Sequence, residues 1–176
     1  MKPVIETKRL ILRELDMTDD AGMFELDSDA EVHKYLGNNP VKTIEESRQI
    51  IAMIQQQYKD HGIGRWAMIE KSSNHFIGWA GLKFITEPIN NHIHYYDLGY
   101  RLIKRYWGKG FATEAAQASL DYGFTVLNQD SIYGIAVVEH AASIHVLQKV
   151  GLATIENFTH VGLQHVWLKA DKKSLT

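Results

Sequence analysis

Apolar and polar positions alternate along several short runs of this chain and recur at helical spacing along others. RLILREL (9–15) alternates apolar and charged residues in its second half, which predicts a first strand. Thr18 then opens TDDAGMFELDSD, where acids crowd the first turn and favour a helix start through the dipole. Thr43 precedes Glu46 by three residues, a capping-box pattern, and Ile44, Ile51, Ile54 and Tyr58 follow at helical spacing. A long amphipathic helix is predicted over 43–60, with its charged side solvated. HGIG (61–64) reads as a turn. RWAMIE (65–70), the turn KSSN and HFIGWAGLKFI (75–85) read as two strands joined in a hairpin. A third strand is predicted over about 92–104, where Gly99 marks a bulge or a close approach by another backbone or a ligand.

RYWGKGFATEAA (105–116) then sets two glycines ahead of an alanine-rich run. GFATEAAQASLDYGFTVL predicts a helix whose apolar face runs Ala112, Ala116, Leu120, Phe124, Leu127. SIYGIAVV (131–138) reads as a strand and AASIHVLQKV (141–150) as a helix stopped at Gly151. ATIENFTH and VGLQHVWLKA read as two final strands. The pattern predicts a mixed α/β (α+β) protein: helices early, an antiparallel centre, then strand–helix–strand units.

Composition narrows the function classes. The chain has 176 residues, 45% of them hydrophobic, enough for one domain (1–176) with a real core, and no linker or repeat divides it. A formal charge of −2 lacks the basic footprint that nucleic acid would require. With no cysteine, disulfides, thiolate metal sites and a cysteine nucleophile are excluded. The first residues lack an apolar signal core and no run approaches the ~18 apolar residues of a membrane span, so the expected setting is cytoplasmic, with no membrane partner.

A strand, a glycine loop and a helix in succession make an anion site, because the helix N-terminus carries unpaired N–H groups and partial positive charge. Glycine lets a diphosphate approach the amides of 108–113, where a β-carbon would hold it off. Thr113 adds a hydroxyl and Lys109 a charge. The segment is neither a Walker loop nor GxGxxG, since Thr113 holds the third glycine position. A tight strand–helix corner with nothing bound is the alternative reading.

LGYRLIKRYWGKGFATEA, followed about thirty residues later by a strand and ASIHVLQKVGL, closely resembles the GNAT superfamily of acyl-CoA-dependent N-acetyltransferases, best the ribosomal-protein (RimJ/RimL-like) branch. TKRLILREL and WAMIEKSSNHFIGWAGL match the same branch, so the likeness runs from about residue 7 to 169. It implies a GNAT-like, largely antiparallel sheet of about six to seven strands, helices on both faces, and a splay between the strands 92–104 and 131–138. It also implies how acetyl-CoA, as co-substrate, is held. Backbone around Arg101, Leu102 and Ile103 would pair with the pantetheine arm, and a bulge at Gly99 would re-aim that edge. The diphosphate would sit on Trp107, Gly108, Lys109, Gly110, Phe111, Ala112 and Thr113. Three departures stand out. Trp107 is taken as the place of the superfamily's leading Gln or Arg, His140 stands where Asn commonly follows the next strand, and Leu147 replaces the tyrosine often used as proton donor.

Amine acetylation needs a neutral amine, a polarised thioester carbonyl and a proton for the leaving sulfur. A lysine amine, with pKa near ~10.4, depends far more on a base than an α-amine near ~8. A free amide around Leu102 is the expected donor to the carbonyl oxygen. Asp97 is the first choice for the base, on the strand leading to the loop, where several superfamily members carry a carboxylate; holding backbone or facing water is its alternative role. His92 and His94 would share one strand face and relay protons; no third metal ligand is evident and no metal is expected. Glu87, Glu139 and His145 are weaker bases. The resemblance makes Ser143 the candidate acid, against a first-turn hydrogen bond as its ordinary role. Trp66, Trp79, Tyr95, Tyr96 and Trp107 read as core or cleft-wall aromatics. The implied acceptor is a protein N-terminal amine, ribosomal proteins among them, or a small-molecule amine, selected by the loop before residue 65 and the turn 86–92. Homodimers are common in the resembling branch. The competing function is a non-catalytic acetyl-CoA sensor or scaffold.

Overall fold

The computed structural model describes residues 4–173. Its elements in chain order are β1 (Ile5–Glu6), β2 (Leu10–Glu14), a 3-10 turn (Met17–Asp19), α1 (Asp20–Ser28), α2 (Ala30–His33) and α3 (Ile44–His61). There follow β3 (Arg65–Glu70), β4 (His75–Ile85), β5 (Tyr95–Leu102), a 3-10 turn (Lys104–Tyr106), α4 (Phe111–Thr125), β6 (Ser131–Val137), α5 (Ala141–Lys149), β7 (Ala153–His160) and β8 (Leu163–Asp171). The strands form one sheet in the order β1-β2-β3-β4-β5-β6-β8-β7. Eight strands replace the expected six to seven, partly because the two-residue β1 adds itself to the edge of β2.

Local chemistry explains most boundaries. Thr43 caps Glu46 and the Glu46 carboxylate returns to the Thr43 amide, so α3 starts where the capping box predicts. Gly62, at φ 70°, ends it in the left-handed conformation that glycine adopts without strain. The earlier helix starts differently. Asp16, not Thr18, is the cap: its carboxylate accepts from the Thr18 amide, and Asp19 closes a second capping box around the 3-10 turn. In α4 the buried stripe is Phe111, Ala115, Ala116, Ser119, Leu120 and Gly123, turned slightly from the predicted face, with Ala112 and Phe124 only half-buried. Those small residues let the helix lie close on the sheet. A β-carbon at Gly123 would stand 2.2 Å from Ile132 Cδ1.

The sheet has two faces with different fates. Leu82, Leu98 and Ile132 pack beneath α4, and Tyr100 reaches α5 from the same side of β5. Asp97 and Arg101 project to the opposite face, toward the α1–α2 segment, where Asp27 meets Arg101. Between Ala67 and Trp79 on one side and β8 on the other, all neighbours pair antiparallel except β5 with β6. That pair is parallel and registers only at Asp97↔Tyr133. Beyond this point the two strands part, as the splay requires.

Candidate active site

The opened edge belongs to β5. Ile103 donates its amide to Ile77 on β4, and in an antiparallel pair the backbone groups alternate between the two sides. Tyr100 and Leu102 therefore turn their amides toward the slot, while Arg101 and Ile103 turn theirs to β4. Of the three residues expected to pair with a pantetheine arm, only Leu102 presents backbone to the opening. Its carbonyl already accepts from the Trp107 indole N–H at 2.9 Å, which leaves its amide as the free group. Trp107 is thus a half-exposed cover on this edge rather than a core aromatic.

The chain then turns through Lys104–Tyr106 into the glycine loop. Gly108 and Gly110 have φ of 70° and 79°, so both need the left-handed region, and no atom lies within 4 Å of a β-carbon at Gly108. No side chain caps α4, so the amides at its start, through Phe111, Ala112 and Thr113, are open to an anion. Phe111 itself is core, and its ring carries the Arg9 guanidinium at 4.3 Å. Arg9 ties the loop to β2, donating to the Lys109 carbonyl at 2.9 Å and to Glu114 at 2.7 Å. Glu114 also accepts from Thr7 and the Arg9 amide, and those bonds hold its carboxyl below the usual range against the effect of burial. Lys109 Nζ lies 5.4 Å from the Tyr106 ring. Arg105, within the Lys104–Tyr106 turn, pairs with Glu25 and lies over the Tyr106 ring. This loop fits the diphosphate of a coenzyme in glycine conformation and open amides.

The far lip of the slot is the start of α5. His140 occupies the N-cap but makes no side-chain cap bond; its ring stacks on Tyr35 at 4.4 Å, and burial lowers its pKa. Ser143 does not bond within its own turn. Tyr100 donates to the Ser143 carbonyl at 2.7 Å and sits 3.3 Å from its Oγ, so a phenol from β5 lies against the serine across the slot. Leu147 is buried core.

On the opposite face Asp97 is held by a residue that no motif had marked. Arg65 crosses β4 and β5, donating Nη2 to Asp97 Oδ2 at 2.5 Å and Nη1 to the carbonyls of Asp97 and Gly81. It can do so because Gly81 and Gly99 face each other in register and neither carries a side chain. A β-carbon on Gly99 would stand 2.7 Å from Arg65 Nη2. Gly99 is therefore no bulge, since register runs unbroken through it; the close approach is by a guanidinium. Asp97 keeps 13% of its side chain exposed, and Oδ1 has no partner among the described residues. Burial pushes its carboxyl up, while the charge and hydrogen bond of Arg65, with Lys83, pull it down.

His92 and His94 do not share a strand face. Asn90, Asn91 and His94 take φ of 49°, 60° and 58°, which coils 86–94 into a turn before β5 begins. His92 stacks on Trp167 at 4.7 Å, and His94 on Phe84 at 5.9 Å. Glu87, Glu139 and His145 lie exposed in the surrounding segments. No cluster of three metal-ligating side chains occurs among the described residues.

Comparison with known proteins adds the family. Residues 9–153 match the model described as an acetyltransferase (GNAT) domain. An uncharacterized N-acetyltransferase of Bacillus licheniformis, p20, is 34% identical over 83% of this chain and 83% of its own. The spermidine N(1)-acetyltransferase of Escherichia coli K12 is 30% identical over 85% of this chain and 75% of its own. Among solved structures, an acetyltransferase of the GNAT family from Bacillus anthracis superposes with TM-score 0.78 at 25% identity, covering 95% of this chain and 97% of that one.

Proposed function

The chain belongs to the GNAT acetyltransferase family and is an acyl-CoA-dependent N-acetyltransferase; from that premise we propose that it moves acetyl from acetyl-CoA to a primary amine by direct attack in a ternary complex. One observation supports this reading: β5 and β6 hold a single pairing at Asp97↔Tyr133 and then separate, leaving an unpaired strand edge that leads to the glycine loop.

Acetyl-CoA supplies the activated acetyl as a thioester. The open amides from Gly108 to Thr113 hold its diphosphate, and the free edge of β5 orients its arm. The Leu102 and Tyr100 amides are the N–H groups within the slot that can donate to the thioester carbonyl. Asp97, whose Oδ1 is buried without a partner and whose side chain keeps 13% exposure, takes the proton of the incoming ammonium through water once the acceptor's entry has opened the pocket around that oxygen. Ser143 donates toward the sulfur, and Tyr100 fixes that serine from the facing strand. A departing thiolate, with a reference thiol pKa near ~8.5, needs no stronger acid.

The test is calorimetric titration of acetyl-CoA into the wild type and Gly110→Trp, paired with coenzyme A release in the presence of amines. The wild type is expected to bind and turn over. The folded variant is expected to lose binding, because the indole would fill the loop; unchanged affinity would contradict the diphosphate assignment. Tight binding without release of coenzyme A on any amine would favour a sensor.

A further inference from the structure

We infer that the acceptor carries an oxyanion or carbonyl several bonds away from its reacting amine, and that Arg101, with Lys83, reads that group. The inference rests on the transferase reading above and names its substrate class.

It begins with the charges on the face of β4 and β5 that Asp97 shares. Both carboxylates there are already matched: Asp97 by Arg65 at 2.5 Å, and Asp27 by Arg101 at 2.6 Å. Asp27 is only 1% exposed, and its Oδ1 also meets His33 Nε2 at 3.2 Å. Lys83 lies in register with Asp97, so the two side chains stand beside each other on one face, and Lys83 is exposed without an ion pair among the described residues. Three cations thus face two carboxylates. Glu87 and Glu139 are exposed in the turns outside this patch. A polyamine would bring further positive charge onto a face that already has a surplus of it.

Arg101 has the donors to use that surplus. Its Nη1 is spent on Asp27, but Nε and Nη2 make no hydrogen bond among the described residues, and 22% of the side chain is exposed. The guanidinium lies 4.9 Å from the centroid of the half-buried Trp79 ring, which the Arg65 guanidinium flanks at 5.5 Å. The indole keeps the Arg101 fork flat and in place for an oxygen acceptor.

Spacing defines the acceptor further. Asp97 and Arg101 are four residues apart on an extended strand, roughly 13 Å between their α-carbons at the usual rise. An α-amino acid, with amine and carboxylate on one carbon, falls well short of that backbone spacing. A peptide N-terminus spans it, with its amine at Asp97 and a later carbonyl or carboxylate at Arg101, and so does an ω-amino acid.

Three amines of matched length decide the matter: ω-aminohexanoate, hexylamine and hexane diamine. Each is titrated calorimetrically into the enzyme saturated with coenzyme A. Aminohexanoate is expected to bind about five- to ten-fold tighter than hexylamine, as one partly exposed charge-assisted contact gives, and the diamine weakest of all. Arg101→Gln and, separately, the surface variant Lys83→Gln are each expected to shrink the ratio of aminohexanoate to hexylamine affinity. A purely structural role would weaken all three ligands alike and leave that ratio unchanged. The inference is overturned if the diamine binds as well as aminohexanoate, if neither variant moves the ratio, or if none of the three binds. A protein that binds acetyl-CoA yet prefers the diamine loses only this inference, whereas failure to bind acetyl-CoA removes the transferase reading itself.

Discussion

Replacing Arg65 with glutamine separates what Asp97 does for catalysis from what it does for the fold. In the wild type the guanidinium makes one ionic and two carbonyl hydrogen bonds at 2.5 Å, and both partners of the ion pair are nearly buried. Breaking a buried pair by removing one partner costs about 3–5 kcal/mol when the other charge is left behind. Asp97 escapes that cost by taking up a proton, which burial already favours and Arg65 opposes. A carboxyl whose folded pKa is raised stabilises the fold at low pH and loses that contribution as pH rises through the folded value. The variant, with a higher folded pKa than the wild type, should therefore be less destabilised at low pH, where only the two carbonyl hydrogen bonds are lost, than at high pH, where the unpaired charge brings the total up to about 3–5 kcal/mol. Thermal melts of both proteins from low to high pH measure it. The acid limb of kcat/KM with a fixed amine should shift to higher pH in the variant, because the base stays protonated longer. A destabilisation independent of pH would refute the ionised pair. An acid limb that stayed in place while stability shifted would leave Arg65–Asp97 a structural pair and remove Asp97 as the base.

Two further outcomes follow from contacts of Gly99 and Glu114. Gly99→Ala puts a methyl 2.7 Å from Arg65 Nη2 in a backbone that any residue adopts, so the guanidinium must move off Asp97; kcat is expected to fall toward that of Arg65→Gln in a protein that still binds acetyl-CoA, measured by steady-state kinetics and calorimetry. Glu114→Gln loses the carboxylate that binds Thr7 and Arg9 and steadies the glycine loop. Since the folded Glu114 pKa is lowered, its contribution exists above the unfolded value and is lost as pH falls through the folded one, so the melting difference of about 1 kcal/mol at pH 7 should shrink as pH falls below the ordinary carboxyl range.

Much of the fold was legible because its signals are local. The capping box at Thr43 and Glu46, the KSSN turn between β3 and β4 and the alternating run of β2 each state their conformation within a few residues. What escaped was either too short to carry a period, as with β1 and α2, or decided by competition between neighbouring caps, as where Asp16 takes the role given to Thr18. The strand expected from His92 starts at Tyr95 because two consecutive asparagines adopt the left-handed conformation they tolerate better than most residues. That one shift sent His92 and His94 to different aromatic partners and ended their shared role.

The candidate site divides along the same line. The glycine loop could be read from sequence because consecutive residues supply all of it, Arg9 aside. The Arg65–Asp97 pair could not, because it depends on register across three strands: Arg65 opposite Gly81, and Gly81 opposite Gly99. Each glycine alone suggests a bulge or a turn. Only their alignment turns two missing side chains into a trough wide enough for a guanidinium. The same alignment sets how Asp97 is held: Arg65 approaches along the trough and takes Oδ2 and the carbonyls, which leaves Oδ1 buried without a partner. An arginine arriving from a helix above the face could pair with both oxygens at once. Arg65, lying flat on the sheet, holds one oxygen and leaves the other as a buried, unsatisfied acceptor that a proton or an incoming donor would satisfy.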